Sequence, residues 1–380
     1  MPPRPRTPAD GQPPTTLNAL LNQAETAYAA GKFALVARHG QAILQRDPHH
    51  PGALHLLGRM AIDTGAFEIA EGLLQRAAKA RPRATAIRVD LGRALQAGAK
   101  SEAAIPVLQQ AIAAEPRNIA GLAALADAQL DTGHTDDALA TFRRILRIKP
   151  DHALAAHMVA GLEGGADGEA TRAYAATLFD SYVRTFDEHL TGTLEYRVPE
   201  HLLATIEPLH PERFATAIDI GCGTGLVGRA FADRIDHIDG IDIAPKMVEA
   251  ARDTGRYRTL AAGDAAVLLR DDPGLAGPYD LALAGDVFVY IGDLDPVFAA
   301  LAPRLAPGAL VAFSVEHIET GGMVLRSTGR FAHSQAYVAD LAARYGLGVL
   351  HSQPAALRKD RNRPIEGRIM VLQRKEGPTT

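Results

Sequence analysis

The 380-residue chain has no tryptophan and one cysteine, and aromatic residues make up only 5% of it. With Cys222 as its single thiol it can form no internal disulfide and no cysteine-based zinc site. Neither sign of charge dominates: 40 basic residues face 44 acidic ones, a net charge of -4. A bulk electrostatic grip on nucleic acid is therefore not expected. No apolar run approaches the roughly 18 residues of a membrane helix. The proline-rich stretch Met1 to Asp10 lacks an apolar signal core. These absences predict a cytoplasmic protein with neither a membrane nor a nucleic-acid partner. What the chain does have is alanine and length. Apolar residues reach 47%, rich in alanine, which suits close-packed helices, and 380 residues favour two domains over one core.

Pro48, Pro82, Pro116 and Pro150 recur every 34 residues, each just after a helical pattern that a proline would stop. Small residues keep the same period at Ala24, Gly58, Gly92 and Ala126, and again at Ala70, Ala104 and Ala138. Gly31, Gly65 and Gly133 mark a turn inside each unit, with Ala99 in the equivalent slot. The pattern resembles the tetratricopeptide repeat, four units over about residues 17–152, with Asp151 to Leu162 as a capping helix. Such arrays carry a concave binding surface, although a spacer or dimerisation arm fits the pattern too. The expected domains are a flexible N-terminus at 1–16, repeats and cap at 17–162 and a glycine-rich linker at 163–170. A helical lid segment at 171–205 and an α/β domain at 206–376 follow.

The lid segment brings Tyr174, Phe179, Tyr182, Phe186 and Tyr196 together with Asp180, Asp187 and Glu188. Positions 179, 182 and 186 share one face of a helix, either packed on the next domain or closing over a pocket. From 216 onward the period switches. Short apolar runs at 216–220, 238–242, 258–262, 280–285, 309–315, 345–352 and 367–374 read as strands. Helices are expected at 227–234, 245–254, 293–304 and 334–344. This alternation predicts a mostly parallel sheet covered on both faces, its last two strands joined through the charged segment Arg358 to Arg363 and antiparallel at the edge.

Ala217-Ile218-Asp219-Ile220-Gly221-Cys222-Gly223-Thr224-Gly225 is a strand running into a glycine turn that opens a helix. A dinucleotide fingerprint would need glycine at 226, where the chain has Leu226, and no Gly-Lys-Ser/Thr follows for a phosphate loop. Glycine at 221, 223 and 225 lets backbone approach a ligand and adopt conformations closed to other residues. The spacing Asp219-x-Gly221-x-Gly223-x-Gly225 resembles motif I of class I S-adenosylmethionine-dependent methyltransferases. With the upstream helices, the whole is similar to bacterial tetratricopeptide-repeat methyltransferases, which share Phe179-Asp180, Arg197-Val198-Pro199 and the 329–334 run. The resemblance implies a Rossmann-like, seven-stranded domain after a helical superhelix, and S-adenosyl-L-methionine as cofactor. Asp219, Gly221, Cys222, Gly223 and Gly225 would hold its methionine portion and Asp242 its ribose. Ile243 and Met247 would line the ribose and adenine, Asp264 and Ala265 would read the adenine, and Gly285 and Asp286 would lie under the methyl group. Each aspartate at a strand end is also a natural helix cap.

The acceptor side is expected from Tyr182, Phe186, Tyr196 and Arg197 of the lid and Val287 and Phe288 after the fourth strand. Arg330, Phe331 and Tyr337 of a later insertion join them. Candidate bases are Glu316, His317 and His333, the last at a helix N-terminus, with His189 and Tyr182 behind them. No third ligand accompanies Glu316 and His317, so no metal is expected. Arg326, Arg330, Arg358 and Arg368 favour a carboxylate- or phosphate-bearing acceptor. The expected function is methyl transfer to a small, anionic metabolite in a biosynthetic pathway, with the repeat arm binding a partner protein or a second copy. Methylation of a protein held by the repeats, and a non-catalytic cofactor-binding scaffold, are the alternatives.

Overall fold

The computed structural model describes residues 16–165, 168–183, 186–360 and 363–375. The expectation of flexibility at 1–16 therefore falls almost wholly outside the described residues. Backbone contacts divide the chain into two compact units, Met1–Ala128 and Gln129–Thr380.

The first unit is an array of paired helices: α1 (Leu17–Ala29), α2 (Phe33–Arg46), α3 (Pro51–Asp63), α4 (Phe67–Ala80), α5 (Thr85–Ala97) and α6 (Ser101–Ala114), followed by most of α7 (Ile119–Asp131). The periodic small residues explain the packing. A methyl group on Gly58 would meet Leu74 at 2.6 Å, and one on Gly92 would meet Leu108 at 2.5 Å. One leucine thus fills the same hole one repeat later. The periodic prolines lie two residues past the last helical position of α2, α4 and α6, as a missing N–H requires. Turns inside the repeats use left-handed backbone at Gly31, Gly65 and Gly133, and Ala99 adopts the same conformation at φ 60°.

The second unit opens on α8 (Thr135–Ile148) and α9 (Ala153–Leu162) and continues into α10 (Glu169–Tyr182), a short α11 (Phe186–Glu188), a π-turn at 189–193 and α12 (Val198–Ile206). Contacts thus divide the chain inside α7, ahead of the glycine-rich 163–170 segment that composition marks as a linker. The reason is a buried knot. His157 of α9 hydrogen-bonds Thr171 of α10 at 3.1 Å and the Gly329 carbonyl at 2.9 Å, and its ring stacks on Tyr174. Burial pushes its pKa down and the ring stays neutral.

The sheet follows: β1 (Phe214–Ile220), β2 (Ile235–Asp242), β3 (Thr259–Ala262), β4 (Tyr279–Ala284), β5 (Leu305–Ile318), β6 (Met323–Leu325), β7 (Phe331–Ser334), β8 (Leu347–Asp360) and β9 (Arg363–Arg374). Strands run parallel in the order β3-β2-β1-β4-β5; β9 then pairs antiparallel with β5, and β8 with β9. Interposed are α13 (Leu226–Ala230), α14 (Pro245–Asp253), α15 (Ala265–Asp271), α16 (Asp295–Leu301) and α17 (Gln335–Arg344). Alternate residues feed two cores: Ala282 and Ala284 of β4 join one, Leu281 and Leu283 the other. All seven expected strands are present. Three features depart from the sequence reading. A small β6–β7 hairpin extends the sheet beside Glu316–Ile318, α15 forms where no helix is expected, and Arg358 lies within β8 rather than in a connection. Short runs such as 323–325 and 265–271 carry too little periodicity to be read alone.

Replacing Ala99 by glycine removes the left-handed strain and should raise stability by about 1 kcal/mol. Gly92→Val should lower it by about 1–3 kcal/mol through the clash with Leu108. Urea denaturation followed by helical circular dichroism measures both.

Candidate functional site

The carboxyl ends of β1 to β4 converge on one cavity of about 410 Å³ within the second unit. One wall is the glycine turn. Gly221, Gly223 and Gly225 all have positive φ, and a methyl group on Gly221 would lie 2.3 Å from Val287. The turn is tied to β2, where the N–H groups of Gly221 and Cys222 both donate to the Ile241 carbonyl, at 2.7 and 2.9 Å. Gly223 N–H donates to Asp242 Oδ2 at 2.9 Å, and Ala244 N–H to Oδ1 at 2.9 Å. Each oxygen of Asp242 keeps a second lone pair. Burial pushes this carboxyl up to about 6, against the two N–H donors.

Asp219, at the end of β1, is fully buried. Tyr257 Oη donates to its Oδ2 at 2.7 Å, while Oδ1 has no partner among the described residues. Burial pushes its pKa up to about 7, the Tyr257 bond opposing. Tyr257 carries no sequence signal of its own, but the room made for it does: methyl groups on Gly228 and Gly240 would lie 2.5 and 2.9 Å from it. Burial likewise pushes the Cys222 thiol up, so it stays protonated.

Ile243, Gly263, Asp264 and Ala265 line the next stretch. Asp264 caps α15, its Oδ1 accepting from Val267 N–H at 3.0 Å, and Arg172 lies 3.8 Å from its Oδ2. Met247 is buried within α14 and does not line the cavity. Beyond β4, Gly285, Asp286 and Val287 line it. Asp286 holds a left-handed conformation at φ 61°, uncommon for a residue with a side chain, and donates its N–H to Ser314 Oγ at 2.8 Å. Phe288 instead packs at a tilt on Phe313 inside the core, ring centroids 5.0 Å apart, so it offers no surface to a ligand.

The far wall is the lid segment. Phe179 and Phe186 line the cavity, and Phe179 meets Tyr290 edge-on at 5.0 Å. They lie on separate helices, because α10 ends at Tyr182; the Tyr182 and His189 side chains lie outside what is described. Two lid aspartates fasten the segment. Asp180 accepts from Lys246 N–H at 3.1 Å at the start of α14, and Asp187 accepts from Thr224 Oγ1 and from Arg229 at 2.6 Å. Tyr196 is buried and lines the cavity, whereas Arg197 is exposed and does not.

At the acceptor end Arg358, buried in β8, bonds Asp286 with one terminal nitrogen and Glu316 with the other. Arg326 lies 3.5 Å from the second oxygen of Glu316. Arg330 lines the cavity, Nε donating to Tyr290 Oη at 3.2 Å. Burial pulls its pKa down, but Tyr290, Asp286 and Glu316 outweigh this and hold it protonated.

Several expected residues are not brought to the cavity. His333 is fully buried at the end of β7, one residue before the cap of α17, its Nε2 bonded to the Gly292 carbonyl at 2.8 Å. Burial depresses its pKa. His317 faces Glu319 at 3.6 Å, and Glu316 is consumed by arginines. Phe331 packs edge-on to His157 at 5.8 Å, and Tyr337 Oη bridges Leu294 N–H and Asp293. Arg368 bonds Ser352. These side chains support the hairpin and α17 instead of facing the cavity.

A side-chain-free turn and the spare lone pairs of Asp242 suit a ligand with vicinal hydroxyls, while Asp219 does not itself line the cavity.

Residues 218–311 match the methyltransferase-domain family, and residues 94–162 match the tetratricopeptide-repeat family. The chain is 26% identical over 139 residues to the malonyl-[acyl-carrier protein] O-methyltransferase of Salmonella typhimurium, covering 37% of this chain and 52% of that protein. It is 31% identical over 142 residues to the aklanonic acid methyltransferase of a Streptomyces species, covering 36% and 62%. The magnesium protoporphyrin IX methyltransferase of Synechocystis superposes with a TM-score of 0.41 at 16% identity, over 54% of this chain and 100% of that one. The chain thus spans less than two thirds of either curated relative. It carries a methyltransferase domain preceded by a tetratricopeptide-repeat region. Among the described residues no helix is long and apolar enough to cross a membrane.

The raised pKa of Asp219 sets a stability test. Its folded value of about 7 lies above the unfolded value of about 4, so ionisation penalises the fold above pH 7. The penalty fades as pH falls through 7 towards 4. Asp219→Asn should therefore be more stable than wild type at pH 8, by on the order of 2–4 kcal/mol, with the gain shrinking on acidification. Urea midpoints across pH measure it.

Proposed function

We propose that this chain transfers a methyl group from S-adenosylmethionine to a small-molecule acceptor in a biosynthetic reaction in the cytoplasm. The observation that carries the reading is a single cavity joining the glycine turn and Asp242 to an end walled by Phe179, Phe186 and Tyr290. Asp242 accepts from the ribose hydroxyls, the backbone of the turn at Gly221 and Gly223 takes the methionine portion, and Ala265 and Asp264 lie by the adenine. The cofactor, when bound, supplies an electrophilic methyl group on a sulfonium. The protein then has two tasks: to hold the acceptor in line and to keep water out. The lid performs the second through its rings, fastened by Asp180 and Asp187.

Glu316, His317 and His333 serve as supports for Arg358 and the β6–β7 hairpin in this reading, and no base is taken from them. The repeat region is assigned to contacts with a partner protein or a second copy.

Calorimetry with S-adenosylhomocysteine and with NADH tests the cofactor. S-adenosylhomocysteine should bind and NADH should not, and Asp242→Ala should weaken binding by about 10- to 100-fold. Binding of NADH alone, or equal affinity in the variant, would overturn the assignment. Methyl-labelled cofactor with cell extract should label small molecules; label confined to protein would favour a protein substrate instead.

A further inference from the structure

Four arginines are candidates for an anionic acceptor by sequence, and the geometry separates them. Arg368 is bonded to Ser352 and does not line the cavity. Arg358 is fixed between Asp286 and Glu316, and Arg326 leans on the remaining oxygen of Glu316. Arg330 alone among the four lines the cavity without a carboxylate in ion-pair distance among the described residues. Its Nε is spent on Tyr290 Oη, which holds the guanidinium plane beside that ring. Its two terminal nitrogens have no hydrogen-bond partner among the described residues, and a pair of this kind matches a carboxylate in the two-pronged geometry. Among the described residues the cluster of Arg326, Arg330 and Arg358 has two carboxylates, Asp286 and Glu316, which leaves it one positive charge in excess.

A second observation concerns bases. The cavity lining among the described residues holds no histidine, lysine or glutamate. Its three aspartates are all engaged: Asp242 by two N–H groups, Asp264 as a helix cap and Asp286 by Arg358. An alcohol acceptor would need a free base, and an ammonium would be repelled by the arginines. A carboxylate needs neither provision, since it is already ionised and nucleophilic at neutral pH.

We infer that the acceptor is a carboxylic acid with an apolar body, its carboxylate gripped by the terminal nitrogens of Arg330 and methylated there to an ester. The inference rests on the methyl-transfer reading above. A lone pair of one carboxylate oxygen forms the new oxygen–carbon bond as the methyl–sulfur bond breaks and its electron pair stays on sulfur. No proton moves; the anionic and sulfonium charges vanish together. The neutral ester no longer pairs with Arg330, which weakens the hold on product. Arg330 is thus a specificity-determining residue, and the apolar walls at Leu178, Leu190 and Ile291 take the acid's body.

The test uses the full-length protein with Arg330→Gln and Arg330→Lys. Calorimetry with S-adenosylhomocysteine comes first: all three proteins should bind alike, and failure of the wild type to bind would overturn the cofactor reading rather than this one. Small molecules from cell extract, separated by anion exchange into anionic and other pools, are then incubated with methyl-labelled cofactor. Label should enter only the anionic pool and be released as methanol by mild alkali. Arg330→Gln should lower transfer by about 10- to 100-fold, with partial recovery in Arg330→Lys. The wild-type rate should be level from about pH 6 to about pH 9, as an acceptor needing no base requires. Label in the non-anionic pool, an alkali-stable product, no transfer by a protein that binds S-adenosylhomocysteine, or a wild-type rate in Arg330→Gln would each overturn the inference.

Discussion

The organising interaction of the second unit is the buried guanidinium of Arg358. It leaves a strand far down the chain and reaches Asp286 just past β4 and Glu316 near the carboxyl end of β5. A buried ion is costly unless its partners are close and well oriented, and here both terminal nitrogens are satisfied by carboxylates. The consequence is positional. Asp286 keeps its left-handed backbone because its carboxylate and its N–H are both held, the latter by Ser314. Glu316 in turn anchors the hairpin that begins after β5 through Arg326. The shape of the acceptor end depends on this one cation, although no ligand need touch it.

The cofactor end depends on a different device, a carboxylate that serves the backbone first. Asp242 joins the glycine turn to the start of α14 by accepting one N–H from each, which sets the separation of β1 and β2 at their tips. Two carboxyls pushed up to about 7 and about 6 beside each other mark a region that desolvates negative charge, and a cationic ligand head would relieve it.

Much of this was legible before any coordinates. The 34-residue period, the glycine spacing at 221, 223 and 225 and the order of seven apolar runs each rest on strong local physics: proline lacks an N–H, glycine adopts left-handed turns without the strain a side chain adds, and buried strands need continuous apolar residues. What escaped was what lies between distant segments. Nothing near Tyr257 announces that it will bond Asp219, and a histidine before a helix looks available until β7 buries it. Positions 179, 182 and 186 fit one helical face by spacing, yet α10 ends at Tyr182 and Phe186 reaches the cavity from α11. Residues 163–170 have the composition of a tether, but His157 bonds across them to Thr171 and Gly329.

That last contact bears on how the molecule comes apart. Gly161 of α9 sits against Leu325 and Phe331, and Leu154 of the same helix against Gly329, so the hairpin bearing Arg330 leans on α9. Cutting the polypeptide at its glycine-rich stretch would leave those apolar surfaces wet and the acceptor wall without a backing. The smallest piece able to keep its pocket intact starts no later than α9, ahead of the glycine-rich stretch.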